Sequence, residues 1–231
     1  LDLSWLLVRE EDGAGTIDHA AGPSDETRVV TYLVEAVCKG AGERGIVSVF
    51  ARLPEECRYL EVFREFGFTV VGREPTYCRF ETSVPEPIAL PDLRRQEKHD
   101  AWAIQQLYRV CTPAAVQFAE NLTSRTWEPQ VRRFPLFGRE PESDSFVLDG
   151  ENGIDAWLRI DRETDDQNRL SIMVKPGTSR VVPALVDFAL EYLSNYNPRP
   201  VVITVRDYET GIRDALEESG FEAKYARFLM V

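Results

Sequence analysis

The chain repeats itself, and that repeat limits its fold more than any other feature. Trp5 recurs as Trp157, 152 residues later. The run Arg28-Val29-Val30, followed by Leu33-Val34-Glu35, recurs at the same interval as Arg180-Val181-Val182 and Leu185-Val186-Asp187. Gly67-Phe68 recurs as Gly220-Phe221, one residue further out. Three landmarks in constant order and spacing mark a duplicated unit, and the unit that must fold has to be settled before any fold is argued. The period is far too long for a solenoid, so the 231 residues read as two copies of one globular fold. Roughly 70 residues of the second copy precede Trp157, whereas four residues precede Trp5. The first copy is therefore expected to lack its N-terminal part. Missing residues are the preferred explanation, because half a copy leaves an open sheet edge and an uncovered apolar face. The rival is that the second copy covers the gap.

Composition narrows the function. Hydrophobic residues make up 43% of the chain, enough for real cores, and the formal net charge is −12 with the acids spread along the sequence. A phosphate-backbone binder concentrates Lys and Arg, so nucleic acid is not an expected partner. Cys38, Cys57, Cys78 and Cys111 show no close pair and no metal-ligand spacing, which reads as free thiols in a reducing cytoplasm. No apolar run approaches the ~20 residues of a membrane span, and Leu1–Val8 lacks a basic leader region. A cytoplasmic protein with no membrane partner is the expectation.

Periodicity predicts strands over 3–8 and 16–19, a helix from Ser24 or Asp25 with Val29, Tyr32 or Leu33, Ala36 and Val37 inward, and a strand over 46–51. A short helix over 55–66 ends at Gly67, and a strand resumes at Thr69. Residues 84–91 hold three prolines, each removing a backbone donor, and read as an extended linker between domains at 1–83 and 92–231. The second domain predicts helices over 92–110 and 112–127, then strands over 146–148, 154–160 and 170–174. A helix over 180–193, a strand over 200–205, a helix over 209–219 and a strand over 222–231 complete it.

This order, with its helix ending in Gly-Phe before a final strand, resembles the GCN5-related N-acetyltransferase (GNAT) family. Val62-Phe63-Arg64-Glu65-Phe66-Gly67-Phe68 and Ala215-Leu216-Glu217-Glu218-Ser219-Gly220-Phe221 both resemble the family's "LYEKxGF" helix end, and Val174-Lys175-Pro176 resembles its V-x-P strand end. The resemblance implies an α/β fold with an α+β mixed sheet: two tandem GNAT-like acyl-CoA N-acyltransferase folds, the first incomplete at its start. It also implies acetyl-CoA as cofactor, bound by a Q/R-x-x-G-x-G/A loop whose bare amides and helix N-terminus meet the diphosphate. Here the chain departs from the pattern. The second copy has Gly177-Thr178-Ser179-Arg180-Val181-Val182-Pro183, shorter and without paired glycines; the first has Gly22-Pro23-Ser24-Asp25-Glu26-Thr27-Arg28, with two carboxylates where a diphosphate would sit. The remaining cofactor-binding candidates are Val174, Lys175, Gly177, Thr178, Ser179 and Arg180. The family's proton-donating tyrosine falls at Phe63 or Leu216, and its asparagine at Glu56 or Glu209.

For chemistry, His19 ends the strand before the first copy's degenerate loop and titrates near neutrality. Asp155, with Glu10 and Asp161, occupies a strand position from which the family deprotonates an amine, and Tyr208 follows the strand over 200–205 where a phenol can meet a thiolate. With 39 acidic residues, some carboxylate falls near any cleft, and each of these side chains has an ordinary structural reading beside it. Asp161, Glu163, Asp165 and Asp166 lack the glycine and terminal glutamate of a calcium loop, so no metal is expected. Two functions compete: an acetyl-CoA-dependent N-acetyltransferase of a small amine, and a catalytically inactive module of the same fold that binds a ligand or partner. Either is expected as a monomer or homodimer.

Overall fold

The computed structural model describes residues 25–80, 90–129, 142–164, 166–196 and 198–231. Its elements are helix α1 (Asp25–Glu43), strand β1 (Ala51–Pro54), helix α2 (Leu60–Glu65), strand β2 (Val70–Arg79), strand β3 (Leu93–Arg95), and helices α3 (Ala101–Cys111) and α4 (Ala114–Glu120). Strands β4 (Glu142–Gly150), β5 (Gly153–Thr164) and β6 (Gln167–Val174) follow, then helix α5 (Val182–Ser194), strand β7 (Val201–Thr204), helix α6 (Thr210–Glu218) and strand β8 (Glu222–Met230). The strands form one mixed sheet in the order β1-β8-β2-β7-β6-β5-β4-β3. Pair β6·β7 is parallel, whereas β1·β8, β2·β7, β3·β4, β4·β5 and β5·β6 are antiparallel. The expected mixed α/β architecture is present; the expected strands over 3–8 and 16–19 and the proline-rich linker lie outside the described residues.

Two compact units divide the chain, one taking residues up to Arg73 together with Ala226–Val231, the other Glu74–Tyr225. In the first unit, β1 pairs with the end of β8 (Ala51 opposite Met230, Pro54 opposite Arg227), and Thr69 and Val231 exchange backbone hydrogen bonds of 2.8 and 3.0 Å. Its core gathers Val30 and Val34 of α1, Leu53, Tyr59, Val62, Phe63, Phe68 and Met230. The helix α1 buries Val30, Val34 and Ala41, one position away from the predicted stripe, while Val29, Tyr32 and Leu33 are exposed. This helix carries more apolar residues than the described elements cover, so its period alone does not select the inward set. Residues 46–50 are not strand; pairing starts at Ala51, where β8 supplies a partner.

The second unit shows why its strands read as apolar runs. Phe146 and Leu148 of β4, Ala156, Leu158 and Ile160 of β5, and Leu170 and Ile172 of β6 pack with Val182, Leu185, Val186 and Ala189 of α5. The alternate residues Val147, Trp157 and Met173 pack with Ile104, Leu107 and Tyr108 of α3. Successive side chains point to opposite faces, so a sheet covered on both faces loses the polar half of its alternation. The predicted helix over 92–110 is shorter than expected: Leu93–Arg95 instead pairs with β4, and the α-helix starts at Ala101. Glu97 and Asp100 form a reciprocal capping box on the 3₁₀ turn Lys98–Asp100 that leads into it. The predicted helix over 112–127 stops at Glu120, because Asn121 takes a left-handed conformation with φ 46°.

The Gly-Phe corners share a geometry. Gly67 (φ 90°) follows α2 and Gly220 (φ 78°) follows α6, a conformation that favours glycine. Phe68 donates its amide to Phe63 and Phe221 donates to Leu216, each five residues back, and both phenylalanine rings are buried.

Candidate functional site

Strand β6 ends at Val174 and hands the chain to a tight turn. The amide and hydroxyl of Thr178 both donate to the Lys175 carbonyl, at 3.0 and 2.7 Å, and the Val181 amide donates to the Thr178 carbonyl at 3.0 Å. A short 3₁₀ turn over Ser179–Val181 leads into α5, with Pro183 in its first turn, where the missing amide costs no helical hydrogen bond. Antiparallel pairing with β5 sets Lys175 beside Asp155: the Lys175 amide donates to the Asp155 carbonyl at 2.9 Å, and its ammonium lies 3.0 Å from the carboxylate. Asp155, Lys175 and Arg180 line a cavity of about 580 Å³ together with Asp92, Asp149, Glu151 and Asn152 from the strand ends and the β4–β5 turn. Asp149 is held by Arg94 Nε at 2.7 Å, and Arg94 also reaches Asp100 through two bonds of 2.8 Å. The wall is acidic, with Lys175, Arg180 and Arg94 as the balancing cations; it suits an ammonium group better than a diphosphate.

A second feature lies at the carboxyl ends of β6 and β7. These parallel neighbours pair only over Asn168–Leu170 opposite Val201–Ile203, while β6 continues to Val174. Parallel strands that part beyond their last pairing leave a crevice outside their carboxyl ends, the place where open α/β sheets bind ligands. Side chains from α3 and α4 cross it. The Cys111 thiol donates to the Val174 carbonyl at 3.2 Å, and Tyr108 donates its hydroxyl to Glu120 at 2.6 Å. Arg206, two residues beyond β7, donates from Nη1 to Glu120 at 3.2 Å and to the Tyr208 hydroxyl at 2.8 Å, and from Nη2 to the other Glu120 oxygen. Glu74 lies 3.6 Å from Arg206 Nε, and Glu209 accepts the Arg206 amide at 2.8 Å. At the other rim Gly211 sits against Ser179 so closely that a Cβ would come within 2.6 Å of the Ser179 Cβ.

Burial shapes the titration of this cluster. It raises the Glu209 carboxyl and the Tyr208 phenol above their ordinary values, the latter against the opposing pull of Arg206. Burial pushes the Cys111 thiol up to about 11, so it is a protonated donor near neutrality. Burial works to lower Arg206, but the bond and charge of Glu120 outweigh it and the guanidinium stays charged.

Of the sequence candidates, the structure brings Asp155, Lys175 and Arg180 together in the cavity and sets Gly177, Thr178 and Ser179 in the adjoining turn. Tyr208 stands apart from them, in the Arg206 cluster, and Val174 closes the crevice through its carbonyl. His19 and Glu10 lie outside the described residues. Phe63 and Leu216, at the family tyrosine position, are core side chains at 2% and 0% exposure, and neither donates a proton. Sequence reasoning passed over Arg206, Glu120, Tyr108 and Cys111. Their one local signal is the charged run Arg206-Asp207-Tyr208-Glu209 directly after an apolar strand; Glu120 is 86 positions from its partner.

No protein-family model and no curated protein matches the sequence. Solved structures do match in shape. A functionally unknown conserved protein from Staphylococcus epidermidis has a TM-score of 0.58 at 13% identity, covering 88% of this chain and 79% of its own. A GCN5-related N-acetyltransferase from Kribbella flavida has a TM-score of 0.54 at 14% identity, covering 88% and 75%. Saccharomyces cerevisiae N-myristoyltransferase with bound myristoyl-CoA has a TM-score of 0.54 at 11% identity, covering 90% and 56%. At such identities a shared shape establishes the fold alone. This chain therefore has the fold of the GCN5-related N-acetyltransferases.

Proposed function

We propose that the chain is an acyl-CoA-dependent N-acyltransferase-like protein of a small amine, with acetyl-CoA as donor. The observation that carries this reading is the parting of β6 from β7 after Leu170 and Ile203, next to a turn that opens α5. The neighbouring cavity supports the acceptor side: its carboxylates attract an ammonium group, and Asp155 and Asp149 stand on the interior strands β5 and β4. Lys175, Arg180 and the Thr178 and Ser179 hydroxyls are the groups on hand for a phosphate. As placed, the residues do not fit acyl-CoA, since the Val174 carbonyl is taken and Ser179 meets Gly211 across the rim. No chemical step is derived through the cofactor.

A second reading is a catalytically inactive ligand- or partner-binding module. The engaged state of the crevice favours it: Tyr208 accepts from Arg206, Asp155 is paired with Lys175, and Leu216 replaces the tyrosine. Thermal denaturation with and without millimolar acetyl-CoA separates the two, because a ligand present at 100 times its Kd stabilises the native state by about 2.7 kcal/mol. A rise in Tm that Arg180→Glu abolishes supports the first reading, and no rise supports the second.

We further infer a tandem arrangement, residues 1–83 and 92–231, in a cytoplasmic monomer or homodimer. Its support is the element order α1-β1-α2-β2, met again as α5-β7-α6-β8, and the matching Gly67 and Gly220 corners. In this reading the copies have exchanged their last strands, β2 going to β7 and β8 to β1.

A further inference from the structure

The sheet face that carries Val147, Trp157 and Met173 under α3 turns polar toward the start of β6. Across the paired strands Ser145, Arg159 and Ser171 stand in one row, and Ser143, Asp161 and Arg169 in the next. All six are half-buried. Asp161 accepts from Arg159 Nε at 2.8 Å and from the Ser143 hydroxyl, which in turn accepts from Arg159 Nη2 at 3.1 Å. Arg169 lies directly opposite Asp161 but takes no share of it. Its Nε is buried with no hydrogen-bond partner, and among the described residues its guanidinium has neither an ion pair nor a hydrogen bond. We propose that Arg169 and Arg159, with the Ser145 and Ser171 hydroxyls, form a receptor for the carboxylate of a small ligand. Arg169 stands five residues before Val174, roughly 16 Å along β6 from the strand-end crevice. The proposal does not depend on the acyl-CoA reading.

Other arginines drawn into the structure are held. Arg79, Arg94, Arg162 and Arg206 each donate to a carboxylate or a carbonyl. Arg162 makes the sharpest contrast. Its Nε is orphaned too, but its Nη2 lies 3.0 Å from Asp144 and 2.6 Å from Glu142, and its Cζ sits 4.0 Å from the centre of the Tyr196 ring. A buried donor left without a partner costs its full desolvation, and an orphan of this kind in a half-open site points to an anion. On this face two guanidinium groups meet one described carboxylate, which leaves a single positive charge in a chain whose net charge is −12. One charge matches a carboxylate rather than a phosphate dianion. The planar arginine fork fits the two oxygens of a carboxylate. The hydroxyls of Ser145 and Ser171, without partners among the described residues, stand on either side of Arg159 as further donors.

The test uses the full chain as wild type, Arg169→Gln and Arg159→Gln, with acetate and inorganic phosphate as probes at constant ionic strength. Arginine Nε–H and backbone amide signals are followed by NMR, and Tm is measured with neither probe present. The receptor predicts that acetate moves the Arg169 Nε–H and Ser171 amide signals along a saturating curve. In both variants the Ser171 curve should weaken by about tenfold, the loss of one charge-assisted hydrogen bond. Arg169→Gln should leave the Tm without anions unchanged or higher, since the charge it removes has no partner. A lower Tm would make Arg169 a structural residue and overturn the proposal. Signals that ignore acetate overturn it, as does an acetate affinity equal in all three proteins. Saturable binding of phosphate about tenfold tighter than acetate overturns the carboxylate assignment.

Discussion

Single carboxylates in this protein titrate in opposite senses, and stability should follow. Asp100, 4% exposed in its side chain, accepts two bonds from Arg94 and one from the Glu97 amide at 2.7 Å; the Arg94 bonds above all hold it below the ordinary value. A depressed carboxyl stabilises above its unfolded value and loses that contribution as pH falls through the folded one. Asp100→Asn should cost about 1–3 kcal/mol at pH 7 and flatten the acid limb of a urea-denaturation series. Glu209 has the reverse sign. Its raised carboxyl contributes most below the unfolded value near 4.5, and that contribution is lost as pH rises through the folded value. Glu209→Gln should therefore gain on wild type between pH 4 and pH 8, with a widening difference in urea midpoint. Gly211→Ala, which sets a methyl against the Ser179 Cβ, should cost about 1–3 kcal/mol in the same assay.

At the scale of elements, a helix is as buried as its surroundings allow. Leu185 of α5 is fully buried in the core that α5 shares with the sheet, whereas Leu33, its counterpart in the sequence repeat, is 47% exposed on α1. Leu185→Ala should lower stability by about 2–5 kcal/mol, and Leu33→Ala by no more than about 0.5 kcal/mol, both read from chemical denaturation. Similar costs at the two positions would mean that α1 is covered as α5 is. The same contrast explains what the sequence reveals. Strands β4 to β6, helices α5 and α6 and both Gly-Phe corners were legible because local pattern and final burial agree there. The inward stripe of α1 was not, because two apolar faces compete in one helix. Strand β3 was hidden as well, since Leu93-Arg94-Arg95 owes its extended form to pairing with Leu148, Val147 and Phe146, far along the chain. The Arg206 cluster was invisible for a related reason: its members come from α3, α4, β2 and the end of β7, and no spacing connects them.

For the molecule as a whole, the sequence repeat predicts two domains in tandem, each with a sheet of its own. The strands form one sheet, in which β1 finds its partner in residues 227–230 and β7 finds its partner in residues 76–79. Cleavage at a protease site placed within residues 81–89 should consequently leave two fragments that co-elute on size exclusion without denaturant. Fragments that part under native conditions would contradict those pairings. The strands that part on the other flank of β7 are the reason to expect acyl-CoA, and hydrogen exchange with acetyl-CoA reads that place directly. The account predicts that saturating acetyl-CoA slows exchange at the amides of residues 171–181. Protection elsewhere, with residues 171–181 unaffected, would contradict it.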